Sequence, residues 1–469
     1  MNTINSWLQR TQLALHEFGP SIVDDARRLS HRSRRVDRSP LATQLGYVEI
    51  ANVRATEVTR LAALLLCMTS LLTLGGCAPV ILRTPSATHA GESGGSAETI
   101  RTLGADQQFA ELPIASVAQR AHQLRQEEPF RILALSGGGA DGAFGAGALV
   151  GLSRSGRLPQ FSVVTGVSAG ALIAPYAFLG ADWDRELTDA YTSGRAEHLL
   201  QSRRFGVLFG SSAYRGSPLE HLVEHYLTDE LLQAVAREAA SGRLLLVATT
   251  NVDTGEIVVW DVGSIAMNGG DRAKVLFRDV LVASASVPGL FPPVIIRVQE
   301  HGALLVEAHV DGTATAPFLV PEGLTHWQRE HNPVPRPTAV YVIVDGRLSE
   351  EPLAVQLRFR SILSRSISVG LTHMMRTTLE LTASSAGFEG AHFEYSAIPV
   401  AYPNLAPLDF RASTMRSLFQ YGFDCAQSGH LWISSPRVAS DDAGRGDDGS
   451  NQRVRCPADD GFISRFAVR

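Results

Sequence analysis

Apolar positions along the chain fall into short unbroken runs separated by segments of helical spacing. Phe130 to Leu135 (FRILAL) has the length of a strand and ends in glycines, and Ala143 to Leu152 reads as a small-residue helix. Phe161 to Val164 is a second strand closing in Thr165-Gly166, and Ala169 to Leu179 is the helix after it. Leu244 to Ala248 (LLLVA), Ile257 to Trp260 (IVVW), Val294 to Val298 (VIIRV) and Ala339 to Val344 (AVYVIV) continue the series, with helical patterns at Pro218 to Tyr226 and Asp229 to Ala240. Strands that are apolar at every position need cover on both faces. The pattern therefore predicts an α/β chain with three α/β/α layers and a mostly parallel central sheet. No internal repeat is evident.

The ends of the chain read differently. Leu61 to Gly76 (LAALLLCMTSLLTLGG) is uncharged and follows Arg60, as in the apolar core of a secretory signal. Leu74-Gly75-Gly76-Cys77 resembles a bacterial lipobox, which implies cleavage before Cys77, diacylglyceryl modification of its sulfur and a membrane tether. The competing reading is a signal anchor, since the uncharged run reaches Leu82 and totals 22 residues, enough to span a bilayer at about 20. Both readings place the protein in the bacterial cell envelope, as a periplasmic or outer-membrane lipoprotein in the first. The long basic preface is unusual for a signal peptide, and a start at Val58 would leave Val58-Thr59-Arg60 as a short positive n-region.

The layout expected is a basic leader (1–60), a signal h-region (61–76), an anchor and flexible tether (77–125), a catalytic domain (126–437) and a polar tail (438–469). Residues 84–100 (TPSATHAGESGGSAETI) and 440–451 (SDDAGRGDDGSN) have the small, polar composition of tethers and loops. A net charge of −5 over 469 residues lacks the basic excess of a nucleic-acid-binding surface. Cys425 and Cys456 fall in the mature body, where an oxidising compartment permits a bridge between them.

The candidate chemistry lies at the ends of the first two strands. Gly166-Val167-Ser168-Ala169-Gly170 is a G-x-S-x-G pentapeptide between a strand and a helix, where small neighbours let the chain turn sharply and leave a serine hydroxyl exposed. The helix N-terminus beneath Ser168 favours developing negative charge. About thirty residues earlier, Ser136-Gly137-Gly138-Gly139-Ala140-Asp141-Gly142 also links a strand to a helix, and its amides can converge on an anion. Gly137, Gly139 and Gly142 fit a dinucleotide fingerprint too. That reading wants an acid near the end of the second strand, and Phe161 to Gly166 contains none. Nor does a Gly-Lys-Ser or Gly-Lys-Thr follow, which excludes a Walker A loop.

Serine needs a base, and His309-Val310-Asp311-Gly312-Thr313 supplies Asp311 after another apolar segment. A glycine-rich loop, then G-x-S-x-G, then a distant Asp-Gly is the order seen in patatin-like phospholipases. Ala283 to Pro293 (ASASVPGLFPP) also resembles a block of that family, so the likeness covers roughly residues 130 to 320.

The resemblance implies a patatin-like fold and a Ser-Asp dyad. Ser168 would attack an ester carbonyl, Asp311 would take its proton, and the amides of Gly137, Gly138 and Gly139 would hold the oxyanion, with no metal or organic cofactor. The implied substrates are phospholipids, lysophospholipids or related acyl esters. An acyltransferase using the same dyad, or a catalytically silent lipid-binding lipoprotein, would show the same residues. Asp345, in a second Asp-Gly pair after AVYVIV, rivals Asp311, and His373, His392 and His430 leave a conventional triad open. His309 is expected to be structural or to line the substrate. Two departures stand out: Asp141 occupies a position where many members are basic, and Thr313 replaces the small residue after Asp-Gly. A β-branched residue resists positive φ, so the loop at Thr313 is expected to run differently.

Overall fold

A computed structural model describes residues 99–103, 109–122, 129–202, 211–300, 303–331, 337–350, 352, 354–388, 390–403, 406–434 and 456–457. The leader, the h-region, Cys77 and the run 440–451 lie outside the described residues.

In chain order the strands are β1 (Thr99–Leu103), β2 (Phe109–Pro113), β3 (Phe130–Leu135), β4 (Val163–Val167), β5 (Leu244–Asn251), β6 (Ile257–Asp261), β7 (Val294–Glu300), β8 (Ala303–Asp311), β9 (Thr338–Val344), β10 (His392–Ala397) and β11 (Ile433–Ser434). The helices are α1 (Ile114–His122), α2 (Gly142–Arg154), α3 (Ala169–Leu179), α4 (Asp184–Thr192), α5 (Ser217–Tyr226), α6 (Asp229–Ala240), α7 (Val262–Asn268), α8 (Gly270–Ser284), α9 (Glu322–His331), α10 (Phe359–Phe388) and α11 (Ala412–Ser428).

One sheet runs in the order β11-β10-β9-β3-β4-β5-β6-β1-β2, and its centre, β10-β9-β3-β4-β5, is parallel throughout. Successive side chains of β3 go to opposite faces. Leu133 and Leu135 join a core with α2, α3, α8 and α11, whereas Phe130 and Ile132 meet α1 and α9, and Ala134 meets residues of α10. That alternation into two buried faces is why the strands read as continuous apolar runs, and it makes the architecture the three-layer α/β/α expected.

Antiparallel strands were less legible. β6 returns along β5, and the hairpin β7–β8 adds on through β8. The tether expected over 77–125 is corrected over its described part: β1 pairs with β6, β2 pairs with β1, and α1 packs Val117, Ala118 and Ala121 beneath the sheet. The segment is polar because only a few positions, Ile100 among them, face the core. Cys425 of α11 and Cys456 form a disulfide that closes a separation of 31 residues, which ties the expected tail to the body at Cys456.

Candidate active site

β5 brings the two halves of the site together. Val167, the last residue of β4, pairs with Ala248, and the next residue of β5, Thr249, pairs with Asp311 at the end of β8. β6 occupies the other edge of β5 over Leu246 to Thr250, so β8 continues on the edge that β4 has just left. Ser168 and Asp311 therefore meet, and Ser168 Oγ donates to Asp311 Oδ2 at 2.6 Å.

Ser168 has φ 55° and ψ −121°, and no other non-glycine among the described residues has positive φ. Such a backbone costs on the order of 1–3 kcal/mol and persists only where neighbours hold it. The flanking glycines allow it: a Cβ on Gly166 would stand 2.5 Å from the Gly170 carbonyl oxygen, and one on Gly170 would stand 2.4 Å from that of Leu135. Ser284 fixes the turn from the far side, accepting from the Ser168 amide at 3.0 Å and donating to the Ala248 carbonyl at 2.7 Å. In sequence the ASASVPG block is only a family likeness; in the structure Ser284 anchors the Ser168 backbone, and the Ser286 carbonyl accepts from the Asp311 amide at 2.9 Å.

Asp311 is fully buried, with three donors arranged on its carboxylate. Oδ2 takes the Ser168 hydroxyl, and Oδ1 takes both the amide and the hydroxyl of Thr313 at 2.8 Å each. Burial raises its pKa to about 6, although all three hydrogen bonds oppose the shift. Thr313 needs no positive φ, since Gly312–Ala314 form a 3₁₀ turn that the Asp311 side chain caps. The expected penalty of its β-branch does not arise.

The glycine loop lies between the dyad and β9. The Gly137 amide donates to the Pro317 carbonyl at 3.0 Å, so Gly137 is removed from the expected set of three oxyanion donors. The amides of Gly138 and Gly139 have no acceptor among the described residues. Gly138 passes so close to Asp345 that an added Cβ would stand 2.0 Å from the Asp345 carbonyl oxygen. Ser136 locks the contact, its hydroxyl accepting from the Asp345 amide and donating to the Gly137 carbonyl, both at 2.8 Å.

Asp345, the rival base, is bonded elsewhere. Its Oδ1 accepts from the Gly145 amide at 2.8 Å, and burial, with the nearby charge of Asp141, holds its pKa well above the usual carboxylate range. Asp141 is buried as well. Its pKa is pushed up to about 8 by burial, Arg347 opposing and Asp409 adding to the shift, and its Oδ2 has no hydrogen-bond partner. The folded pKa lies above the ordinary 3.8, so the native state binds the proton more tightly between about pH 4 and pH 8. Stability should decline as pH rises across that window and level off above it. Asp141→Asn should therefore be more stable than the parent at pH 8, by roughly a few kcal/mol, and melt higher there, with the two converging near pH 4 in thermal scans.

The histidines are placed elsewhere. His309 is buried, with Nδ1 3.0 Å from Thr249 Oγ1 and Nε2 2.9 Å from Glu307 Oε2. The same Thr249 hydroxyl accepts from Trp260 Nε1 at 2.8 Å, and burial lowers the imidazole pKa. Both ring nitrogens are thus committed to structure. His373 bonds Arg376, His392 pairs with Glu394, and His430 is exposed after α11.

A strained serine on a strand-to-helix turn, bonded directly to a buried aspartate beside a glycine loop, is now fully placed. Residues 133–322 match the family model of the patatin-like phospholipases. The matched span agrees with the 130 to 320 over which the motifs carry the resemblance, and it includes Ser168, Asp311 and the whole glycine loop. Among solved structures, the chain is similar to VipD from Legionella pneumophila, at 12% identity over 74% of this chain and 73% of that one, TM-score 0.30. It is similar also to human GIVD cytosolic phospholipase A2, at 12% identity over 61% of this chain and 52% of that one, TM-score 0.28. No curated protein matches the sequence.

Proposed function

We propose that this protein is a serine acyl hydrolase that cleaves carboxylic esters of lipids through a Ser168–Asp311 dyad. The observation that carries the reading is the 2.6 Å hydrogen bond from Ser168 Oγ to Asp311 Oδ2, within the patatin-like phospholipase domain. Ser168 Oγ bonds to the ester carbonyl carbon as its proton passes to Asp311, and the carbonyl oxygen becomes an oxyanion facing the amides of Gly138 and Gly139. Collapse breaks the ester bond, the leaving alcohol takes the proton from Asp311, and an acyl-serine remains. Water then adds to that acyl carbon, giving its proton to Asp311, and the fatty acid departs as Ser168 regains its hydrogen. A carboxylate raised to about 6 is a better base than an ordinary one and is still ionised at neutral pH.

Thr313 acts on that base by holding Oδ1, which leaves Oδ2 for the serine. Losing its hydroxyl removes a donor that favours the carboxylate, so the Asp311 pKa rises. For Thr313→Val, the acid limb of the kcat/KM pH profile should move to higher pH from its position near 6, while Thr313→Ser keeps the parental limb.

The proposal includes a tether to the bacterial envelope through lipidated Cys77, supported by Arg60, the apolar run Leu61–Gly76 and the Cys425–Cys456 disulfide, a bond typical of oxidising compartments. One experimental panel addresses both parts. A fluorophosphonate probe should label the parent but not Ser168→Ala, with fatty acid released from phosphatidylglycerol or lysophospholipid by the parent alone. Cys77→Ser should lose metabolic labelling by palmitate. Labelling of Ser168→Ala would end the nucleophile assignment, and palmitate retained in Cys77→Ser would end the lipidation.

A further inference from the structure

Among the described residues, five of the exposed large apolar side chains (Ile362, Leu363, Ile367, Leu371 and Leu381) lie on α10. Its second half is anchored, with Met375, Leu379 and Ala386 packed against Val340, Val342 and Phe393. The first half is not. Leu363, Ile367 and Leu371 recur every four residues and are 46%, 55% and 46% exposed, and Leu381 extends the same stripe. At about 100° per residue these positions share one side of the helix. The other side is held to the body, where Glu350 accepts from Ser368 and Thr372 at 2.7 Å each and pairs with Arg365. The stripe is therefore aimed outward, and Leu357, just before the helix, is 92% exposed.

The charge along this segment has one sign. Residues 354–379 contain Arg358, Arg360, Arg365 and Arg376 and no acid, in a chain whose net charge is −5. From Arg347 to Glu380 the chain carries five arginines (Arg347, Arg358, Arg360, Arg365 and Arg376) and three acids (Glu350, Glu351 and Glu380), of which Arg365 and Arg376 reach Glu350 and Glu380, so the region stays basic. A helix with an outward apolar stripe, and with Arg358 exposed just before it, suits the boundary of an anionic bilayer, where the stripe enters the acyl region and the guanidinium stays at the headgroups. A second copy of the chain would meet the stripe with the same arginine excess, which disfavours self-association there.

We propose that the first half of α10 docks this protein onto anionic lipid bilayers, as a contact separate from the N-terminal segment. The proposal draws on the proposed hydrolase activity only for why a bilayer should lie at hand, so its first test needs no catalysis. With the full chain, Ile367→Trp provides a local probe once the signal of the parent's five tryptophans is subtracted. Vesicles of equal parts phosphatidylcholine and phosphatidylglycerol should blue-shift its emission, brominated acyl chains should quench it, and pure phosphatidylcholine should do so less. Ile367→Asp with Leu371→Asp should weaken binding to the mixed vesicles by roughly tenfold or more, while the turnover of a short, water-soluble ester is unchanged. An emission unaltered by vesicles would overturn the proposal. So would a blue shift that needs no lipid and follows protein concentration in step with dimer formation in sedimentation, which would assign the stripe to a second copy. Loss of activity in every protein alongside retained quenching would count against the hydrolase reading and leave the docking surface standing.

Discussion

Asp311→Asn should lower kcat/KM on a carboxylic ester by on the order of 10² to 10⁴-fold, the span a positioned general base contributes. Asparagine keeps the shape of the carboxylate and can still accept from Thr313, but it cannot take the proton from Ser168. The same substitution should raise the melting temperature at pH 7. Burial lifts the Asp311 pKa from 3.8 to about 6, so the native state holds its proton more tightly than the unfolded chain between about pH 4 and pH 6. Stability is thereby lost as pH rises through that window, and at pH 7 the parent bears the cost of a buried charge. A variant less active yet more stable separates a role in the chemistry from a role in folding. If Asp311→Asn kept full activity, or if Asp345→Asn lost more, the dyad would be wrong. Asp345 is bonded to the Gly145 amide and not to Ser168, and burial raises its pKa well above the usual carboxylate range, so Asp345→Asn should retain most of the turnover.

Gly138→Ala should reduce kcat by about 10² to 10³-fold, the cost of one lost oxyanion donor at roughly 2.7–4 kcal/mol. The new Cβ would stand 2.0 Å from the Asp345 carbonyl oxygen and 2.6 Å from its Cβ. Asp345 cannot yield easily, because Ser136 bonds its amide and β9 leads directly into it, so the glycine loop must move instead. Single-turnover acylation measured with a chromogenic ester should slow, while KM for that ester changes little. An unchanged acylation rate would show that the amide of Gly138 does not face the developing charge.

Much of the fold was readable in advance because buried parallel strands announce themselves locally. FRILAL, LLLVA and AVYVIV lie within β3, β5 and β9, each apolar at successive positions because both faces are covered. Small boundary errors have small causes. β4 begins at Val163 and not at Phe161, since Phe161 and Ser162 turn into the strand, the Ser162 hydroxyl accepting from the Arg131 amide at 3.3 Å. The segment from Thr99 to His122 was hidden for a stronger reason. Its composition is that of a solvated tether, and what orders it is pairing with β6, more than 150 residues onward, which no local window contains.

The site divides along the same line. The elbow at Ser168 and the glycine loop are written in residues one to four positions apart, because the steric demand of a sharp turn falls on immediate neighbours, and sequence alone determined them. The partner of Ser168 is another matter. Asp311 and Asp345 both follow apolar runs and both precede glycine, and nothing local ranks one above the other. Tertiary structure decided between them across a separation of 143 residues, when β8 took the edge of β5 that β4 had vacated. The same packing took Gly137 out of the donor set, turned Asp141 inward and gave Thr313 a carboxylate to hold. Hydrogen bonds and close approaches between distant strands exist only once the sheet has chosen its register.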